Sequence, residues 1–184
     1  MKKARIVILN GVGSAGKGSI AKALQTIAAE PFLHVSMDVF CEMLPPAYFD
    51  HPDGFVFETM QQDGKPSVVI TTGAVGERLL RGMRHAIAAM AAEGNDIIVD
   101  DVLLGAEKVE YRQLLAPFDV YWVGVMAPLD VLETRERDRG DRLIGLARWQ
   151  FNKVHKNMTY DLEIDTSKAT PLACAQMIKR TFSL

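Results

Sequence analysis

The sequence predicts an α/β fold, a three-layer sandwich whose central, mostly parallel five-stranded sheet carries helices on both faces. Three observations predict it. Short apolar runs such as Arg5 to Asn10 read as strands buried on both sides. Stretches such as Ile20, Ala23, Leu24 and Ile27 carry apolar residues at helical spacing. The two kinds of segment alternate, which implies parallel strands joined by crossover helices.

Taken in order, Arg5 to Asn10 is the first strand and Gly18 to Glu30 the first helix. Phe32 to Met37 is a second strand ending at Asp38, and a short helix from Val39 to Leu44 stops at Pro45-Pro46. Phe55 to Glu58 and Ser67 to Ile70 flank the turn-rich Asp63-Gly64-Lys65-Pro66, the pattern of a hairpin or excursion. Gly73 to Glu93 is a long helix with the stripe Val75, Leu79, Met83, Ile87 and Met90, ended by Gly94-Asn95. Strands follow at Asp96 to Asp100 and Val120 to Val125. Helices are expected over Leu129 to about Asp138 and over Ile144 to His155. Leu162 to Ile164 and a helix from Pro171 to Phe182 close the chain.

A length of 184 residues suits one domain with a substantial core, here residues 1–184, and leaves no room for two ordinary enzyme domains. Within it, residues 45–72 form a candidate acceptor-binding excursion and residues 135–148 a candidate arginine-rich lid. The apolar fraction of 48% and charged fraction of 24% are those of a globular protein. A net charge of −2 gives no general attraction to nucleic acid or to an anionic membrane, so neither is expected as a partner. Two cysteines without metal spacing, no membrane-length apolar run and no signal-type leader point to a soluble, cytoplasmic protein. Homo-oligomerisation is left open.

The chemistry is concentrated in the loop after the first strand, Gly11-Val12-Gly13-Ser14-Ala15-Gly16-Lys17-Gly18-Ser19. Strand, glycine loop and helix form the setting of a phosphate-binding (Walker A) loop. Its backbone N–H groups cradle phosphate oxygens, and the helix N-terminus favours the same anion. Gly11, Gly13, Ser14, Ala15, Gly16, Lys17, Gly18 and Ser19 are therefore candidate nucleotide-binding residues, with Lys17 reaching the outer phosphates. Gly18 stands where the usual pattern has Ser or Thr, and the hydroxyl comes one residue later at Ser19. Gly11-x-Gly13-x-x-Gly16 also fits a dinucleotide-binding fingerprint, with Asp38 as the ribose acid. Lys17 directly after the third glycine, the short chain and the later arginines weigh against an NAD(P)-dependent oxidoreductase.

Asp38 is a candidate general base toward an acceptor hydroxyl, or else a helix N-cap. Asp100 and Asp101, after Ile97-Ile98-Val99, resemble a strand-end carboxylate that places Mg²⁺ directly or through water, with Ser19 as a further candidate ligand. Neighbouring strand residues face opposite ways, so the string leaves the choice between the two acids open. Arg135, Arg137, Arg139 and Arg142 are the densest positive cluster. Arg135 and Arg139 share a helix face and suit a phosphate clamp, the bland alternative being surface pairs such as Glu133 with Arg137.

These residues resemble the chloramphenicol phosphotransferase family over nearly the whole chain. The likeness lies in Ile8-Leu9-Asn10-Gly11 with the loop, Glu30-Pro31-Phe32-Leu33 leading to Asp38, and Ile97-Ile98-Val99-Asp100-Asp101-Val102. It continues through Trp122-Val123-Gly124-Val125, Arg139-Gly140-Asp141-Arg142 and Tyr160-Asp161-Leu162-Glu163-Ile164-Asp165-Thr166. The resemblance implies a P-loop NTPase fold of the kinase type that uses ATP and Mg²⁺ to phosphorylate a small hydroxylated acceptor. Asp38 would be the base, and Arg139 and Arg142 would act from the lid. In the family the acceptor is chloramphenicol, which makes antibiotic resistance a candidate role. The Gly18-Ser19 order and the stretch from Val39 to Phe57 depart from the family pattern. Alternatives are a nucleotide or shikimate-like metabolite kinase and, further off, a non-catalytic nucleotide switch.

Overall fold

The computed structural model describes residues 3–140 and 143–184. Five strands form one parallel sheet: β1 (Arg5–Asn10), β2 (Phe32–Ser36), β5 (Asp96–Asp101), β6 (Asp119–Met126) and β7 (Leu162–Asp165). Their order is β2-β5-β1-β6-β7. The central strand β1 is apolar throughout because both of its faces are covered: Ile6, Val7, Ile8 and Leu9 have no exposed surface.

Alternate residues of the sheet feed two cores. Val7 and Leu9 pack with α1 (Lys17–Ile27) and α7 (Pro171–Phe182) through Ile20, Leu24, Ala175 and Ile178. Ile6 and Ile8 pack with α3 (Ala74–Ala92) and α4 (Glu107–Leu114) through Met83, Ile87 and Tyr111. This is the expected sandwich.

Outside the sheet, β3 (Phe55–Gln62) and β4 (Lys65–Thr72) form an antiparallel hairpin. Its two-residue turn is Asp63-Gly64, both at positive φ (53° and 72°), the backbone that the right-handed strand twist favours at such a turn. The arginine helix α5 (Leu129–Arg139) leads to the short α6 (Leu146–Phe151). The two are joined by a buried carboxylate: Glu136 accepts hydrogen bonds from the N–H groups of Gly145 and Ala147, both at 2.8 Å. In turn Gly145 O accepts from Val68 N–H at 3.0 Å, which fastens α6 to the hairpin.

Several boundaries differ from expectation. The second strand ends at Ser36, and the helix that follows, α2, spans Met37–Cys41. Ser36 adopts the extended N-cap backbone (φ −112°, ψ 135°), so Asp38 neither closes the strand nor caps the helix; it sits in the helix's first turn. No helix is expected from the sequence over α4, whose eight residues are mostly polar and of which only Tyr111 is buried. The helix expected over Ile144 to His155 is only six residues long, followed by turns. Glu133 does not pair with Arg137; it pairs with Arg148 of α6 and, at 3.2 Å, with Lys65 of β4. Arg142 lies outside the described residues.

Candidate active site

The glycine loop runs from the end of β1 to the start of α1. Gly11 lets the loop leave close against β6, since a Cβ there would lie 2.5 Å from Val125 O. Ser14 (φ 63°) and Gly16 (φ 93°) take left-handed backbone, the alternation that turns successive N–H groups into one concavity. No side chain caps the N-terminus of α1, which leaves its first N–H groups to an anion.

Lys17 is buried and folded back on its own loop, donating to Gly11 O at 2.9 Å and Val12 O at 3.2 Å. Its Nζ also lies 3.6 Å from Asp100 Oδ1. Burial pushes the Asp100 carboxyl up, but the Lys17 ammonium, with His34 beside it, outweighs burial and holds it below the usual value. His34 Nε2 is 3.9 Å from Asp100 Oδ2, too long for a direct hydrogen bond, and is buried without a hydrogen-bond partner.

The two neighbouring acids occupy different surroundings. Asp100 faces the loop, with its Oδ2 3.2 Å from where a Cβ on Gly18 would stand. Asp101 faces the other way, toward α4. Its oxygens accept from Val102 N–H at 2.7 Å and from Tyr111 O–H at 2.8 Å. Burial pushes Asp101 up despite those hydrogen bonds.

A cavity of about 1230 Å³ opens over the loop, larger than a nucleotide alone requires. Gly13, Ser14, Gly16, Lys17, Gly18 and Ser19 line it, as do Asp38, Asp100 and Asp101. Ser19 is exposed on α1, whereas Ala15 is buried beneath the loop. Arg135 and Arg139 line the cavity and Arg137 does not, as their spacing on one helix requires. Arg135 donates to both Thr166 Oγ1 and Thr166 O at 2.9 Å, and Thr166 Oγ1 donates to Ala15 O at 2.9 Å. That chain of bonds sets the arginine helix against the glycine loop.

The far wall is apolar: Val39 of α2, Phe55 and Phe57 of β3, Ile70 of β4, and Leu80 and Met83 of α3. Cys41 also lines it, but burial, together with Asp38, pushes the thiol up to about 12, so it is no nucleophile. Sequence reasoning missed Gln150, Thr166 and His34. Thr166 falls within one of the blocks of family resemblance; Gln150 and His34 carry no local signal. Among the described residues, no helix is long and apolar enough to cross a membrane.

A glycine loop with its lysine, set between β1 and α1 of a parallel sheet in this order, is the scaffold of a P-loop kinase. The chain belongs to the chloramphenicol phosphotransferase-like protein family, whose pattern matches residues 4–183. That membership makes it a small-molecule phosphotransferase with a hydroxyl acceptor. Two Mycobacterium tuberculosis proteins, one from each of two strains, bear the name "Putative O-phosphotransferase". They are 32% identical over 178 residues, 94% of this chain and 79% of theirs.

Among solved structures, the APS kinase of M. tuberculosis in complex with AMPPNP and APS superposes with a TM-score of 0.69 at 16% identity, covering 100% of both chains. A sugar kinase from Janibacter gives 0.66 at 18% identity, covering 98% of this chain and 95% of its own. A tunicamycin resistance protein of Deinococcus radiodurans gives 0.65 at 17%, covering 98% and 96%. At these identities the likeness concerns the fold alone.

Proposed function

We propose that the chain transfers the γ-phosphoryl group of ATP to a hydroxyl of a small molecule held between α2, α3 and the β3–β4 hairpin. One observation carries this reading: Lys17 with its loop and the carboxyl-bearing Asp38 line the same continuous cavity. A donor and an acceptor bound there meet without leaving the protein.

In this reading the loop N–H groups and Lys17 hold the phosphates, Lys17 exchanging the Gly11 and Val12 carbonyls for phosphate oxygens. Asp38 accepts the acceptor's hydroxyl proton as its oxygen bonds to the γ-phosphorus and the bond to the bridging oxygen breaks, releasing ADP. Arg135 and Arg139 offset the charge that spreads over the transferring group, and Arg142 is proposed to join them.

Mg²⁺ accompanies ATP in this chemistry and neutralises phosphate charge. Asp100 fits a position beside it: the carboxylate faces the loop, is held ionised by Lys17, and meets no side chain from Gly18. Asp101 fits less well, both its oxygens being engaged with Val102 and Tyr111. The apolar wall suits an alcohol with an apolar or aromatic body. The cytoplasm, where ATP is available, is the proposed site of action.

The test is γ-phosphate transfer from ATP across chloramphenicol and other hydroxylated acceptors, run beside Lys17→Ala and Asp38→Asn. The reading expects transfer in the wild type and a large loss in both variants. Undiminished transfer in Asp38→Asn removes that residue from the base role. Transfer to chloramphenicol would support a role in antibiotic resistance; transfer only to other alcohols would support a metabolite kinase. Tight NADH binding without ATP binding would overturn the reading altogether.

A further inference from the structure

We propose that Gln150 of α6 is a γ-phosphate-contacting residue: its carbonyl anchors the glycine loop while its amide NH₂ is aimed at the transferring phosphoryl group. The inference rests on the ATP-binding reading above.

The side chain crosses from α6 to the loop, where Gln150 Oε1 accepts from Gly13 N–H at 2.7 Å. A backbone N–H can be satisfied only by the carbonyl end of an amide, so this bond fixes which end points where. The NH₂ end is therefore turned from Gly13. It has no hydrogen-bond partner among the described residues, although Gln150 is only 3% exposed. Unlike His34 Nε2 and Arg148 Nε, this nitrogen is not shut off from solvent: it borders the cavity that Gln150 lines over the loop, where a bound anion can accept from it.

The acceptor's identity follows from the loop. Lys17, whose type of side chain reaches the β- and γ-phosphates, lies over Gly11 O and Val12 O. The γ-phosphate end of the groove is thus the Gly11-to-Gly13 end, where Gln150 is attached. A neutral donor there meets an anionic oxygen without adding a charge that would compete with Lys17. The same residue sits on a helix tied to the hairpin through Gly145 and to the arginine helix through Glu136. Its position is accordingly set by the elements that wall the acceptor side.

The test compares AMP-PNP with ADP, each with Mg²⁺, by isothermal titration calorimetry on the full chain. Gln150→Ala is expected to weaken AMP-PNP about tenfold, the worth of one hydrogen bond to a charged oxygen, and ADP by less than about threefold. Gln150→Glu keeps an oxygen for Gly13 N–H and replaces the donor with an acceptor, so it should discriminate against AMP-PNP more strongly still. Thermal melts establish that both variants are folded. Equal weakening of the two nucleotides reduces Gln150 to a loop anchor and overturns the proposal, as does no weakening of either. A wild type that binds neither nucleotide overturns the ATP reading itself, an outcome separate from any difference among the variants.

Discussion

Lys17 Nζ stands 3.6 Å from Asp100 Oδ1 while donating to the carbonyls of Gly11 and Val12, so one buried ammonium satisfies the loop and the strand-end acid together. Each group makes the other's burial tolerable, and neither is well solvated alone.

A pH-dependent consequence comes from that pair. With its folded pKa held below the unfolded value, Asp100 contributes stability that is present above the unfolded pKa and is lost as pH falls through the folded one. In Lys17→Met the chief attraction is gone and burial dominates, so an ionised Asp100 costs stability at neutral pH. Urea melts should show the variant's deficit against the wild type largest near pH ~7 and shrinking toward pH ~4, where the carboxyl protonates. A deficit that grows on acidification would contradict this account.

The different surroundings of the paired acids separate their substitutions. Asp100→Asn should weaken MgATP binding by about tenfold or more, as expected for a group that orients a metal's shell. Asp101→Asn should leave that affinity within about twofold, because its carboxyl serves Val102 and Tyr111. Since burial raises the Asp101 pKa, ionising it opposes folding as pH rises, and Asp101→Asn should flatten that part of the stability curve. Nucleotide titrations and pH-dependent melts on the two variants check both halves.

For Asp38, the base role predicts a fall in kcat of roughly 10²- to 10⁴-fold in Asp38→Asn with nucleotide affinity nearly unchanged. Steady-state kinetics with a working acceptor, paired with AMP-PNP titration, measures this. A change confined to KM for the acceptor would make the residue an acceptor contact instead.

Glu136 is 2% exposed and holds two backbone N–H groups of α6. Glu136→Ala strands both donors and should destabilise the protein by about 2–6 kcal/mol, at about 1–3 kcal/mol for each buried unsatisfied group. Glu136→Gln retains one acceptor oxygen and should lose about half as much. Chemical denaturation of the three proteins orders them, and an unchanged Glu136→Ala would remove the carboxylate from its joining role.

The sheet strands were legible because each is a short apolar run with a turn signal beside it, and the hairpin because Asp63-Gly64 sits between two such runs. The short polar helix α4 was not, since a single buried Tyr111 leaves no periodic stripe. The start of α2 was misplaced by two residues because Ser36 and Asp38 are both residues that begin helices, and only the backbone at Ser36 chose between them.

By itself the sequence determined the α/β sandwich, the loop from Gly11 to Ser19 and the family to which the chain belongs. These are properties of residues close along the chain, where spacing and conformational preference act directly. Only the tertiary structure decided that Asp100 rather than Asp101 turns to Lys17, that Glu133 pairs with Arg148, and that Gln150 reaches Gly13 across 137 residues. The reason is physical: a buried polar group takes whichever partner the packed elements bring within reach, and no spacing along the chain records that partner.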